Sequence, residues 1–251
     1  MAIDSHMHIN SLVTADRDQR INKINENSSL EAVINVGLNQ KTSEESLLIA
    51  KSNSKFYASV GVHPLYIESE NLDFLYDLAS HDKVVAIGEI GLDTLKPNIE
   101  EQKRYLVAQI LIANELHLPV IIHSNNSNYA VIDIFEKYAK PMYGCVFHCF
   151  QPDSEVLKYL VANGYYVSYA GRLTYKTARK SHIVARQTPD NLFLVKTDSP
   201  YISPEPFRET INESANLKYI TEKLAEVRGL SYEETESLST RNAKRLFKKL
   251  R

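Results

Sequence analysis

With 251 residues, 43% of them hydrophobic, the chain is long enough to bury one substantial core. A formal net charge of −2 excludes a global basic field, so contact with a polyanion must come from a local patch or from bound cations. Two cysteines, Cys145 and Cys149, are too few for a disulfide framework and suit a reducing cytoplasm; no apolar run reaches the length of a membrane span.

The first apolar run, Ala2-Ile3, leads straight into Asp4-Ser5-His6-Met7-His8, a polar start that does not suit a secretory signal. Strand side chains alternate faces, so this period-two spacing would turn Asp4, His6 and His8 to one side, where two imidazoles can chelate one divalent ion. Residues 32–36 and 56–60 form the next two runs, the latter followed by Gly61-Val62-His63-Pro64. His63 would face the same end, as a group that contacts substrate or supports a ligand. Residues 84–87 lead into Gly88-Glu89-Ile90-Gly91, where the flanking glycines would leave both oxygens of Glu89 open to cations. Residues 120–122 lead into His123, 145–147 into His148, and 192–195, after Lys196 and Thr197, into Asp198. Residues 165–169 complete a set of eight, five of which end on a histidine or carboxylate.

Helical patterns lie between the strands. After Pro97, Leu106, Ile110, Ala113 and Leu116 recur at spacings of four, three and three. Thr42 with Glu45, and Ser231 with Glu234, have capping-box spacing, and Asp153 is placed to cap a helix carrying Val156, Leu157 and Leu160. The charged tail with Leu246, Phe247 and Leu250 reads as a final packing helix rather than a nucleic-acid arm. His81, His117 and His182 fall in or beside helices and read as surface residues.

Regular βα alternation implies parallel strands with right-handed crossovers, and eight such units can close a barrel. An open doubly wound sheet is disfavoured because no glycine-rich phosphate loop follows the first strand. The expectation is an α/β fold, one (β/α)8 TIM barrel over residues 1–251. Such barrels gather their active sites from the C-terminal strand ends. His6, His8, Glu89, His123, His148 and Asp198 would therefore meet at one mouth. Four imidazoles and two carboxylates suit two divalent ions, Zn²⁺, Mn²⁺, Co²⁺ or Ni²⁺, with Mg²⁺ possible through the oxygens. A pair of ions roughly 3.5–4 Å apart generates hydroxide and clamps the attacking and leaving oxygens of an ester.

These residues resemble the TatD family of metal-dependent hydrolases, within the amidohydrolase-like barrels. The match runs nearly end to end: the Asp4/His6/His8 opening, Gly61-Val62-His63-Pro64, Gly88-Glu89-Ile90-Gly91-Leu92-Asp93, Gln102, residues 118–123, His148-Cys149-Phe150, Thr197-Asp198-Ser199-Pro200-Tyr201, and a tail with Thr240, Asn242 and Phe247. The resemblance implies a (β/α)8 barrel with two divalent ions, one on His6, His8, Glu89 and Asp198, the other on Glu89, His123 and His148. Family members are commonly deoxyribonucleases, and some relatives deacylate D-aminoacyl-tRNA. The chain departs from the pattern at the mouth. Asn125 and Asn126 stand where the family tends to have Arg and Asp, Gln151-Pro152 where it has a small residue and Gly, and Lys196 where it has Glu.

The expected activity is phosphodiester hydrolysis, DNA cleavage foremost, with Glu89 bridging the ions and Asp198 as proton acceptor. The alternatives are ester or amide hydrolysis on a small acyl substrate or aminoacyl-tRNA, and a non-catalytic metal-binding scaffold. Arg172 and Arg208 are candidate phosphate contacts; Lys176, Arg179 and Lys180 read equally well as a solvated face. Nothing marks a membrane or an obligate protein partner, and the expected compartment is the cytoplasm. Strand periodicity places Lys196 two residues deeper than Asp198 and level with Asp4, which predicts an Asp4–Lys196 ion pair beneath the metals and a metal affinity below that given by a carboxylate at position 196.

Overall fold

The computed structural model describes residues 1–67, 71–138 and 143–250. Eight parallel strands pair in sequential order: β1 (Ala2–Met7), β2 (Leu30–Val36), β3 (Phe56–Val60), β4 (Val84–Asp93), β5 (Val120–Asn125), β6 (Cys145–Phe147), β7 (Tyr166–Tyr169) and β8 (Phe193–Val195). Helices α1 (Thr14–Glu26), α2 (Gln40–Ser52), α3 (Phe74–Ala79), α4 (Ile99–Glu115), α5 (Asn128–Tyr138), α6 (Ser154–Ala162), α7 (Arg179–Gln187) and α8 (Leu217–Arg228) alternate with them, and α9 (Tyr232–Leu246) follows. The result is the nearly closed β/α barrel that the alternation predicts.

Strand alternation sorts the apolar residues into two cores. Val33, Val120, Ile122, Phe147 and Phe193 join Leu106 and Ile110 of α4 and Leu224 of α8 in the layer between sheet and helices. Their neighbours Ile34, Ile121, Val146 and Leu194 point the other way and fill the barrel interior. Leu246, Phe247 and Leu250 belong to this interior set, so the C-terminal tail plugs the floor of the barrel. Gly144, just before β6, sits at φ +133°, and a Cβ there would meet Leu246 Cδ1 at 2.6 Å, so the plug requires glycine at that point. Burying side chains such as Phe247 contributes about 1.5–3 kcal/mol each.

Helix starts follow their local chemistry. Asp153 accepts from the amides of Glu155 and Val156, and Ser231 and Glu234 form a reciprocal capping box. The α2 cap differs from the Thr42–Glu45 expectation. Asn39 is the N-cap, its side chain accepting from Thr42 N at 3.0 Å while Thr42 Oγ1 accepts from Asn39 N at 3.0 Å. Asn outranks Thr as a cap because its carbonyl reaches the N3 amide with less strain.

The seam between β8 and β1 holds no regular ladder among the described pairs. Ser5 Oγ donates to Val195 O at 2.8 Å, Asp198 N to His6 O at 3.0 Å and His8 N to Ser199 O at 2.7 Å. Asp4 seals the join. Its carboxylate accepts from Thr197 N at 2.9 Å, Thr197 Oγ1 at 2.6 Å and Ser214 Oγ at 2.7 Å. Asp4 therefore does not share a face with His6 and His8, because the β1–β2 register shifts between Asp4 and Met7 and breaks strict alternation. Burial pushes the Asp4 carboxyl upward, against the hydrogen bonds that favour its charged form. No helix among the described residues is long and apolar enough to cross a membrane.

Candidate metal centre

Glu89 lies at the centre of the mouth, and its two oxygens divide the histidines. On one side His6 Nε2 lies 3.2 Å and His8 Nε2 3.4 Å from Glu89 Oε2, with the two ring nitrogens 3.0 Å apart. Asp198 Oδ1 joins them at 3.5 Å from His6 Nε2 and 3.8 Å from His8 Nε2. On the other side His148 Nε2 is 2.6 Å, His123 Nδ1 2.8 Å and His63 Nε2 3.3 Å from Glu89 Oε1. His63, expected to contact substrate or support a ligand, thus presents a ring nitrogen to the same carboxylate as His123. His81, His117 and His182 take no part; His182 Nε2 bonds the backbone oxygen of Leu173.

Local backbone explains this convergence. β4 continues through its glycines to Asp93, six residues beyond the apolar run. Gly91 sits at φ +155°, and a Cβ there would lie 1.8 Å from His123 O. The glycine thus lets β4 and β5 approach closely enough to set Glu89 beside His123, which corrects the reading that the flanking glycines serve to leave room for cations. Asp198 itself is left-handed at φ 65°, a conformation Asp tolerates better than most residues.

Three supporting contacts were not legible in the sequence. Asp93 Oδ2 lies 2.9 Å from His123 Nε2, so the ring is held between two carboxylates. Asn125 Nδ2 donates to Asp93 Oδ1 at 3.2 Å, and Gln151 Nε2 donates to Asn125 Oδ1 at 2.9 Å. Asn125 and Gln151, two of the departures from the family pattern, therefore bind each other and hold Asp93 against His123. A carboxylate behind a ligating imidazole fixes its tautomer and orientation.

Lys196 overturns the expected pairing with Asp4. It is fully buried, but β8 ends at Val195 and its chain turns toward the mouth. Lys196 Nζ donates to Asp198 Oδ1 at 2.6 Å and lies 3.0 Å from His148 Nδ1. The carboxylate of Asp4 is already occupied by Thr197 and Ser214, which leaves Asp198 as the compensating charge.

Burial governs the protonation of the rings. Desolvation holds His6, His63 and His148 below the ordinary imidazole value, His148 down to about 4, with Lys196 adding to the effect at His6 and His148 and Glu89 opposing it. At His8 and His123 burial also depresses, but the carboxylates outweigh it and both are raised. Burial would raise Glu89 and Asp198. The positive charges around them prevail, His148 foremost at Glu89 and Lys196 at Asp198, and hold both carboxyls well below the usual range. Burial alone would lower Lys196, and Asp198 reverses it.

A cleft of about 490 Å³ opens above His123, His148 and Asp198, lined also by Asn125, Gln151, Cys149 and Ile202. Arg172 is exposed and lines the same cleft. Arg208 is not among the residues lining it; its guanidinium lies 4.4 Å from the ring centre of Tyr175. Lys176, Arg179 and Lys180 are exposed. Cys145 is buried in β6 and both thiols are free.

The donor chemistry fits divalent cations. Buried ring nitrogens face each other at 3.0 Å (His6–His8) and 3.2 Å (His123–His148), beside carboxylates that stay ionised. Unprotonated imidazole nitrogens supply lone pairs, and a divalent cation can draw on several of them at once. Among the described residues, three groups have ligand atoms within 4.8 Å of one another: His6, His8 and Asp198; His6, Glu89 and His148; His63, Glu89 and His123. A β/α barrel with such a set at its C-terminal mouth defines a metal-dependent hydrolase.

The family model for TatD-related DNase matches residues 3–248, and the chain belongs to this family. It is 33% identical to the metal-dependent hydrolase YabD of Bacillus subtilis (strain 168) over 254 residues, covering 99% of both chains. It is 29% identical over 231 residues, 88% of each chain, to the 3'-5' ssDNA/RNA exonuclease TatD of Shigella flexneri serotype 5b (strain 8401). The crystal structure of YJJV, a TatD homologue from Escherichia coli K12, superposes with a TM-score of 0.90 at 25% identity, covering 98% of both chains.

Proposed function

We propose that this chain hydrolyses phosphodiester bonds in single-stranded nucleic acid. The observation that carries the reading is the cleft that Arg172 lines together with His123, His148 and Asp198, one or more members of each donor set around Glu89. His6, His8, Asp198 and Glu89 Oε2 would hold one divalent ion, and Glu89 Oε1, His123 and His148 a second, with His63 in reach of it. When bound, such ions supply Lewis acidity and an activated water at neutral pH. The residues do the rest. Arg172, exposed at the rim, holds a nonbridging phosphate oxygen, and its fork geometry suits that group. Asp198, lining the cleft, takes the proton that the attacking water gives up. Lys196 keeps Asp198 fixed and ionised. Asp93 and Asn125 hold the His123 ring in place. The name of the Shigella relative supports a single-stranded substrate and RNA beside DNA.

The test is turnover of single-stranded DNA, RNA, a small chromogenic phosphodiester and an aminoacyl ester, each with Mn²⁺, Zn²⁺ or Mg²⁺. Nucleic-acid cleavage that falls with the Arg172→Ala/Arg208→Ala pair, with a shallow dependence on salt, supports the reading, since few phosphates are contacted. Turnover of the aminoacyl ester alone overturns it.

A further inference from the structure

Beside the cleft lies a groove of about 870 Å³, lined by Asn126, Tyr129, Gln151, Pro152 and Asp153 among others, and the two meet at Gln151. Three of its lining residues, Asn126, Gln151 and Pro152, are positions at which the sequence departs from the family pattern. We propose that this groove is a nucleobase subsite, taking the base of a nucleotide next to the scissile phosphate. The proposal rests on the phosphodiesterase reading above.

Three features define the occupant. Tyr129 is 61% exposed, yet its hydroxyl is tied to Asp153 Oδ2 at 3.2 Å, so the ring stands as a fixed platform. Asp153 is itself anchored, since its other oxygen accepts from Glu155 N and Val156 N at the start of α6. The Gln151 amide is also fixed at both ends: Nε2 donates to Asn125 Oδ1, and Oε1 accepts from Asn126 N at 3.1 Å. One N–H and one lone pair remain on that amide, the paired donor and acceptor that a base edge matches. Among the described residues lining the groove there is an aspartate but no lysine or arginine, which disfavours phosphate and favours a planar uncharged heterocycle. Platforms held in place before binding lose little freedom when a base stacks on them. Arg172, on the cleft, and Tyr129, in the groove, would thus divide the substrate between phosphate and base.

The experiment compares two chromogenic diesters, thymidine 5'-(p-nitrophenyl phosphate) and methyl p-nitrophenyl phosphate, on the metal-loaded enzyme. The expected kcat/KM ratio favours the base-bearing ester by about fivefold to a hundredfold, the range that one stacked base provides. Tyr129→Ala collapses that ratio through KM, and Tyr129→Phe, which keeps the ring but loses its tie to Asp153, retains part of it. Equal use of the two esters by the unaltered enzyme, or a ratio unchanged in Tyr129→Ala, overturns the subsite. If neither ester nor nucleic acid is hydrolysed, the phosphodiesterase reading falls on its own. The groove is then decided by equilibrium binding of adenosine monophosphate against ribose 5-phosphate. Tighter binding of the nucleotide that is lost in Tyr129→Ala supports it, and equal binding overturns it.

Discussion

The two ends of this barrel are built on opposite terms. At the floor, Leu246, Phe247 and Leu250 complete an apolar interior. At the mouth, the same barrel buries His6, His8, Glu89, Lys196 and Asp198. Four of the five left-handed non-glycine residues among those described, Asn126, Cys149, Asp198 and Ile202, lie at this end. A branched side chain at φ 49°, as in Ile202, persists only where its surroundings impose it. The difference teaches that the floor supplies stability which the mouth spends on holding charged groups out of water.

The contrast breaks most sharply at Asp198. Asp198→Asn should cut hydrolysis by about 10²–10⁴-fold, the span for loss of a positioned proton acceptor, and, because it leaves Lys196 buried without its carboxylate, should also destabilise the metal-free protein by about 3–5 kcal/mol. Near-native turnover with saturating metal would remove Asp198 from its role. The converse change is Phe247→Ala, which should cost about 3–5 kcal/mol in denaturant unfolding yet leave metal affinity intact. Weakened metal binding in that variant would mean the ends are coupled.

Lys196→Gln breaks a buried ion pair and should destabilise the metal-free protein by about 3–5 kcal/mol. Added Mn²⁺ should then raise the melting temperature more than in the parent, because the cation no longer competes with an ammonium for Asp198. An equal or smaller rise would show that Lys196 does not oppose metal. Asp93→Asn should weaken metal binding about 10–100-fold, the usual loss for a carboxylate behind a ligating histidine. Calorimetry should find it in one site only, and loss in both would contradict the division at Glu89.

The smallest effect is on acid stability. His148 has a folded-state value of about 4, below the ordinary imidazole value, so the unfolded chain binds more protons between the two. Metal-free protein should therefore lose stability as pH falls from about 6.5 toward 4, and His148→Gln should lose less over that window. Parallel pH profiles for the two proteins would refute this.

Much of this was legible in the sequence, because buried strands leave apolar runs and barrels place function at their ends. Six residues chosen by that rule, His6, His8, Glu89, His123, His148 and Asp198, lie together at the mouth. What could not be read depends on local irregularity. The register shift in β1 turns Asp4 out of line with His6, and the early end of β8 swings Lys196 to Asp198. The chain from Gln151 through Asn125 and Asp93 to His123 joins the end of β4, β5 and the loop after β6, which no single-segment periodicity encodes. Asp93 carried one signal: it ends the same motif as Glu89, four residues on, where a strand continuing through its glycines would place it.

The seal at Asp4 also governs when the centre comes into being. Asp4 is bonded to Thr197, 193 residues away, and to Ser214, 210 residues away. Synthesis delivers His6 and His8 first, but their carboxylate partner Asp198 and both anchors of the seam arrive only when most of the chain exists. Contacts of such separation close late, since the loop between them must be ordered first. A nascent or truncated chain therefore carries histidines without a complete catalytic centre, and hydrolytic chemistry waits for the finished barrel.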